Sequence, residues 1–404
     1  MNQPLFLHIV ERLEGFLVKL PDKIQKPILH ELTPLKELFL KQRAPRFVLT
    51  GSHKIAVQEI FGSLFSAAQP SDLRDVLMEV FRWQNINVGG FGTVDLLDAR
   101  GADDAAMRNI EGELQREPAD MFFHLVDGNS ARPVLSRDTE TLAKLVGLSG
   151  ADPLQAKVIG ISLVAPRRVT TREPHGRSPA SDNRDAESKL QAALHGHPAI
   201  REHLVQVLEL PLLPIDHGTS QTAPKAARFM ALLAKELPNE ARIEMVRISR
   251  DKQAQTQIAQ VLVKSTSAIC AAIGAQPIPL ADLPILTTLQ LVMVSGIMYI
   301  AGRERSLRAA TEFVAALGVN VGTGMVLREG ARVVLKFFPG WGNVVCGMVA
   351  GAGTYALGRS AIVYFLEGVS LKDARRTYLQ SRKKSPRPKL LKVGSESEGK
   401  TAVR

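Results

Sequence analysis

Five short apolar runs, Phe47–Thr50, Val94–Asp98, Met121–Val126, Val158–Val164 and Leu210–Ile215, are separated by gaps long enough to hold a crossover helix. Strands joined in this way run parallel, and a parallel sheet is buried on both faces by its own crossovers. The spacing therefore predicts an α/β domain over residues 45–220, a mostly parallel sheet with helices on both faces. One gap, residues 166–189, is rich in charge, Pro and Ser, and is expected to be a mobile loop.

The flanks read differently. Leu5, Ile9, Leu13 and Phe16, then Ile24, Ile28, Leu32, Leu35 and Phe39, recur at helical intervals around Pro21, which predicts an N-terminal helical hairpin over residues 1–44. From about residue 221 strand patterns vanish, and a C-terminal all-α domain is expected over 221–380, with a basic disordered tail over 381–404. At 404 residues the chain is long enough for two or three cores.

The first run opens "FVLTGSHKIAVQEIFGSLF", a strand, a glycine and an amphipathic helix. A phosphate-binding loop, G-x-x-x-x-G-K-[ST], turns backbone N–H groups onto phosphate, neutralises charge with Lys, and holds Mg²⁺ with a hydroxyl. Gly51 fits the first position. Counting on through Ser52, His53 and Lys54, Ala56 stands at the second glycine, Val57 at the lysine and Gln58 at the hydroxyl. Lys54 is the one cation inside the loop. Downstream, Asp98-Ala99-Arg100-Gly101 ends the second run, and this D-x-x-G pattern suits an acid reaching Mg²⁺ through water and a glycine N–H meeting a terminal phosphate.

On these residues, and on "ADMFFHLVD" at 119–127, the chain resembles a degenerate member of the Era-like, translation-factor class of P-loop GTPases. The resemblance implies a nucleotide site at Gly51–Gln58 with Asp98 and Gly101, and Mg²⁺ at Asp98 wherever nucleotide binds. The family's guanine-selecting N-K-x-D does not recur: Ser162, Leu163, Val164 and Ala165 occupy the corresponding stretch. The expectation is a non-catalytic GTPase homologue without cofactor. The alternative is a genuine GTP-binding enzyme, with GTP and Mg²⁺ handled by Lys54 and Asp98.

A second resemblance covers "AAIGAQPIPLADLPILTTLQLVMVSGIMYIAGRE" and "VLKFFPGWGNVVCGMVAGAGTYALGRSAIVYFLEGVSLKDAR". Both look like the helical domain of YcjF-type proteins, often fused behind bacterial GTPase domains. Residues 283–302 carry no charge and are long enough to cross a hydrocarbon core as a helix. Gly347 and Gly351 stand at G-x-x-x-G spacing, which lets helix backbones approach. Leu283, Leu291, Ile297, Tyr299, Phe338, Trp341, Gly347 and Gly351 are the expected membrane-associating residues, whether spanning or peripheral, with soluble burial the competing outcome.

Charge sharpens the partner expectation. The net charge is +11, and residues 371–404 carry eleven Lys or Arg against three acids. Arg382, Lys383, Lys384, Arg387 and Lys389 soon follow the apolar helices, as expected of a segment facing anionic lipid. A membrane is thus the first expected partner and a GTPase relative or a second copy the next. Nucleic acid ranks last, for want of interleaved aromatics.

The start, MNQPLFLHIVERLEG, has no basic flank or long apolar core, so secretion is not expected. The expected location is the cytoplasmic face of a membrane. Cys270 and Cys346 lie apart in apolar runs and read as small buried hydrophobes. His195, His197 and His203 have no accompanying acid or Cys cluster and read as surface histidines rather than metal ligands. The functional expectation is a membrane-linked scaffold or regulator. A helical membrane protein whose α/β domain has no nucleotide role is a further alternative.

Overall fold

A computed structural model describes residues 26, 29, 41–65, 81–130, 132–148, 157–165, 179–212, 224–275, 282–317 and 341–384. The chain begins its sheet with β1 (Arg46–Gly51), followed by α1 (Val57–Leu64). A hairpin of β2 (Gln84–Val88) and β3 (Gly92–Asp98) comes next, then α2 (Asp104–Arg116) and β4 (Met121–Asp127). The rest of the sheet region is α3 (Ser136–Leu148), β5 (Lys157–Val164), α4 (Pro179–Gly196), the single turn α5 (Pro198–Arg201) and β6 (Leu204–Pro211).

The strand order is β2-β3-β1-β4-β5-β6, with only β2 antiparallel to its neighbour. β4 reads MFFHLVD without polar alternation because it is covered on both sides, the signature of a central parallel strand. On one face Val48, Leu97, Phe122, Val126 and Val158 pack with Ile110 of α2, Leu142 of α3 and Leu190 of α4. On the other, the Phe47 and Phe123 rings stack at 4.8 Å, with Phe65 after α1 and Phe229 completing an aromatic core. Fully burying each such ring stabilises the fold by about 2–3 kcal/mol. At the amino ends of the strands, Arg43 makes a bidentate pair with Asp120 (2.6 Å to each oxygen), and Asp120 also accepts the Arg46 N–H (2.9 Å).

Beyond the sheet, the described elements are all helical: α6 (Pro224–Glu236), α7 (Asn239–Ser249), α8 (Lys252–Gly274), α9 (Asp282–Ile300), α10 (Leu307–Ala316), α11 (Trp341–Phe365) and α12 (Leu371–Lys384). The molecule divides into two compact units. The first contains the sheet, runs on through Leu262 and includes Gly296–Arg305; the second contains Val263–Ser295 and the described residues from Ser306 onward.

Within the second unit, close backbone approach is built from small residues. A Cβ on Gly347 would stand 2.6 Å from the Ala271 carbonyl oxygen, one on Gly351 2.8 Å from the Ala271 Cβ, and one on Gly358 2.4 Å from a Val263 methyl. The Thr354 hydroxyl accepts from Gln290 Nε2 (2.9 Å) and donates to the Ala350 carbonyl (2.9 Å), so α9 and α11 share a polar contact. Phe313 of α10 meets Tyr364 and Phe365 of α11 at 5.2 and 4.8 Å.

Three sequence expectations are corrected. β2 was not expected as a strand. β6 occupies Leu204–Pro211 and so starts six residues ahead of the expected run at 210–215, of which residues 213–215 lie outside the described residues. Of the expected mobile loop, residues 179–189 are helical, opened by Pro179 at the first position of α4, where a missing N–H costs nothing. Residues 166–178 lie outside the described residues, as does the predicted N-terminal hairpin apart from Lys26, Leu29 and residues 41–44, of which 41–44 are not helical.

Candidate functional site

From β1 the chain crosses to the β3 side of the sheet, whereas from β4 it crosses to β5. That reversal is a topological switch point at the carboxyl ends of β1 and β4, the place where open α/β sheets bind ligands. The loop Ser52–Ala56 and the D-x-x-G segment both lie at this end.

Gly51 turns the chain out of β1 with φ +93°. The Ser52 N–H donates to the Leu125 carbonyl (2.8 Å), tying the loop to β4. His53, Lys54 and Ala56 are exposed, Ile55 is buried, and Val57 and Gln58 are half-buried in the first turn of α1. Ala56 occupies the N-cap of α1 with no side-chain hydrogen bond, so its side chain satisfies none of the first N–H groups of that helix.

The interior of the loop is taken by Arg100, a residue the motif reading passed over. Its guanidinium donates from Nη1 to the carbonyls of Ser52 (3.1 Å) and Ile55 (2.7 Å). The same group makes a bidentate pair with Asp98, Nε to Oδ1 at 2.8 Å and Nη2 to Oδ2 at 2.9 Å, and its backbone N–H also meets Oδ1 (3.2 Å). The Arg100 side chain is 4 % exposed and that of Asp98 20 %. A phosphate seat turns N–H groups inward. This loop turns two carbonyls inward onto a cation, and both oxygens of Asp98 are engaged.

Gly101, at φ +70°, lies beside His53, with a Cβ there 3.6 Å from the His53 Cβ. Burial pushes the Asp138 carboxyl above its usual range, while the nearby charges of His53 and Arg137 pull it back. The segment that would read a guanine base offers no acid. Ser162 and Leu163 are buried, and a Cβ on Gly128 would come within 2.6 Å of the Ser162 hydroxyl. Among the described residues no cluster of three His, Cys, Asp or Glu could hold a metal ion.

The residues assigned to membrane association separate. Ile297 is fully buried, and Gly347 and Gly351 face Ala271 of α8. Tyr299 is held in a polar cluster of the first unit. Its hydroxyl donates to Glu244, Gln42 Nε2 donates to it (3.0 Å), and its ring lies between Arg247 and Arg305 at 3.7 and 4.2 Å. Burial first, then the Glu244 charge, pushes its phenol up to about 12.

Leu291 is half-buried and Arg382 exposed. Phe338, Arg387 and Lys389 lie outside the described residues, as do the side chains of Leu283, Trp341, Lys383 and Lys384. Among the described residues one helix, Lys252–Gly274, is long and apolar enough to cross a membrane, and 61 % of its apolar window is buried, which is weak evidence for a membrane. Cys270 is a free thiol, pushed up to about 12 by burial.

No protein-family model matches this sequence, and no curated protein matches it. The class defined by the structure is therefore an α/β domain with a mostly parallel six-stranded sheet, followed by a helical region.

Proposed function

We propose that this chain is a GTPase-type homologue that does not turn over nucleotide and serves as a scaffold or regulator at a membrane face. Phosphoryl transfer depends almost wholly on positioning and charge neutralisation. The loop after β1 has neither the lysine nor the hydroxyl that supply them, and no acid stands where guanine would be selected. The arrangement of Gly51, Asp98 and Gly101 at the carboxyl ends of β1 and β3 supports descent from a nucleotide-binding domain.

The observation that carries the reading is Arg100. Its guanidinium fills the loop, satisfies the Ser52 and Ile55 carbonyls and engages both oxygens of Asp98. The loop is thereby neutralised from within, and the sheet can keep its shape without a bound anion. What remains for such a domain is presentation of a surface, to an intact GTPase or to a second copy of the chain.

The test is nucleotide content of the purified protein, followed by titration with labelled GTP with and without Mg²⁺. The expected result is no co-purified nucleotide and no Mg²⁺-dependent binding at micromolar concentration. Mg²⁺-dependent binding that Asp98→Ala abolishes would show instead that Arg100 yields Asp98 to a metal, and the protein would be a GTP-binding one.

A further inference from the structure

Helix α12 folds back on α11 by burying Ala374 and Tyr378, with Leu371, Thr377 and Ser381 half-buried beside them. Its opposite side exposes Lys372, Arg375, Arg376 and Arg382, with Leu379 at 47 % exposure. At about 100° per residue the four cations fall within roughly 120° of arc, and Leu379 lies inside that arc. Among the described residues none of the four meets a carboxylate. The helix's one acid, Asp373, lies about 60° beyond the arc in the first turn, where it accepts the Ser370 hydroxyl (2.6 Å).

We propose that this outward face of α12 is a docking surface for the anionic headgroup layer of a lipid bilayer. Four unpaired cations on a rigid helix match a sheet of phosphates and carboxylates, and each adds to attraction within a Debye length. A leucine among them can enter the headgroup boundary, as apolar residues of interfacial helices do. The face has no exposed aromatic on which a nucleic-acid base could stack, since Tyr378 is buried. Attachment is then peripheral and reversible. The inference rests on the membrane-face reading above and names the element and lipid class that would carry it.

The experiment sediments the full chain with phosphatidylcholine vesicles and with vesicles containing an equal share of phosphatidylserine. Expected is partition onto the anionic vesicles alone, weakened by salt. Arg375→Gln with Arg376→Gln should lower it roughly thirty-fold, about five-fold per charge, and Leu379→Gln should lower it several-fold. An unchanged unfolding midpoint for these exposed-site variants confirms an intact fold.

Partition onto anionic vesicles that ignores the α12 variants overturns this proposal and leaves the membrane reading standing. Absence of partition onto either vesicle overturns both. Preference for duplex DNA over anionic vesicles, lost in the double variant, overturns the lipid assignment and makes the face a nucleic-acid one.

Discussion

Gly51 lies so close to Leu125 that a Cβ on the glycine would stand 2.2 Å from the leucine's carbonyl oxygen. The two residues sit opposite each other at the carboxyl ends of β1 and β4. With φ at +93°, position 51 also requires a conformation that costs an L-residue about 1–2 kcal/mol. Gly51→Ala should therefore destabilise the protein by at least about 2 kcal/mol, seen as a lower urea midpoint at unchanged slope. The glycine is needed by the fold whether or not nucleotide binds. A wild-type midpoint would show that β1 and β4 can separate without cost.

Removing Arg100 leaves the Asp98 carboxylate and two loop carbonyls without their donor. Arg100→Ala should cost about 3 kcal/mol in unfolding free energy, as when one partner of a buried pair is deleted. Arg100→Lys should recover only part of this, because one ammonium cannot reproduce the planar fork that serves Asp98 and both carbonyls. Neither variant should acquire Mg²⁺-dependent GTP binding, since freeing Asp98 restores neither the lysine nor the hydroxyl. Urea titration and labelled-GTP binding check the two halves separately.

The Arg100 arrangement shows where sequence reading stops. Gly51, Asp98 and Gly101 stand in a recognised order, so their gathering at one end of the sheet was legible from strand spacing. Arg100 gave no such signal, because the Ser52 and Ile55 carbonyls are about fifty residues away in sequence and meet it only once β1 and β3 pair.

Two other misses did leave traces. Gln84–Val88 alternates polar and apolar residues before Gly89 and Gly90, the pattern of an edge hairpin with one covered face. Ala186, Leu190 and Leu194, all buried, recur every four residues, yet the Pro and Ser content nearby concealed α4. Composition marked that segment as a loop, whereas periodicity was the better guide to it.

Tyr299 offers a separate test of how the first unit is held. Tyr299→Phe keeps the ring between Arg247 and Arg305 and loses only the hydroxyl, so a cost of about 1 kcal/mol is expected. Tyr299→Leu also loses the cation–π contacts and should cost about 2 kcal/mol more. Equal midpoints for the two variants would mean that the ring contributes no more than its apolar area.

The glycines of α11 should divide by what they face. Gly347→Ala sets a methyl against the Ala271 carbonyl, and Gly351→Ala against the Ala271 side chain, so each should cost about 1–3 kcal/mol of overpacking. Gly353 has nothing within 4 Å of its would-be Cβ. Gly353→Ala should therefore stabilise by about 0.5–1 kcal/mol through helix propensity. Thermal melts of the three variants suffice. The same sign for all of them would remove the distinction between glycines that admit α8 and a glycine that does not.

His124 makes stability depend on pH in a predictable direction. The side chain is wholly buried in β4, and burial lowers its pKa from 6.5 to about 4. Its Nδ1 lies 3.0 Å from the Thr50 hydroxyl oxygen, and that hydroxyl is 3.3 Å from the Phe123 carbonyl. With the Thr50 proton given to the carbonyl, Nδ1–H donates to Thr50. Nε2 has no hydrogen-bond partner among the described residues, so a second proton there would be an unpaired buried charge.

The unfolded chain therefore binds more protons than the folded one between about pH 4 and 6.5, and stability must rise with pH across that window. As pH falls from 6.5 toward 4, the loss should reach on the order of 3 kcal/mol and then level off. Carboxylates titrate over part of the same range, so the informative quantity is the difference between the protein and its His124→Gln variant. Urea midpoints measured at intervals from pH 4 to pH 7 should converge on acidification as the parent loses its advantage. Parallel curves would place the charged imidazole in an environment that accepts it, and Thr50 would no longer account for the neutral form.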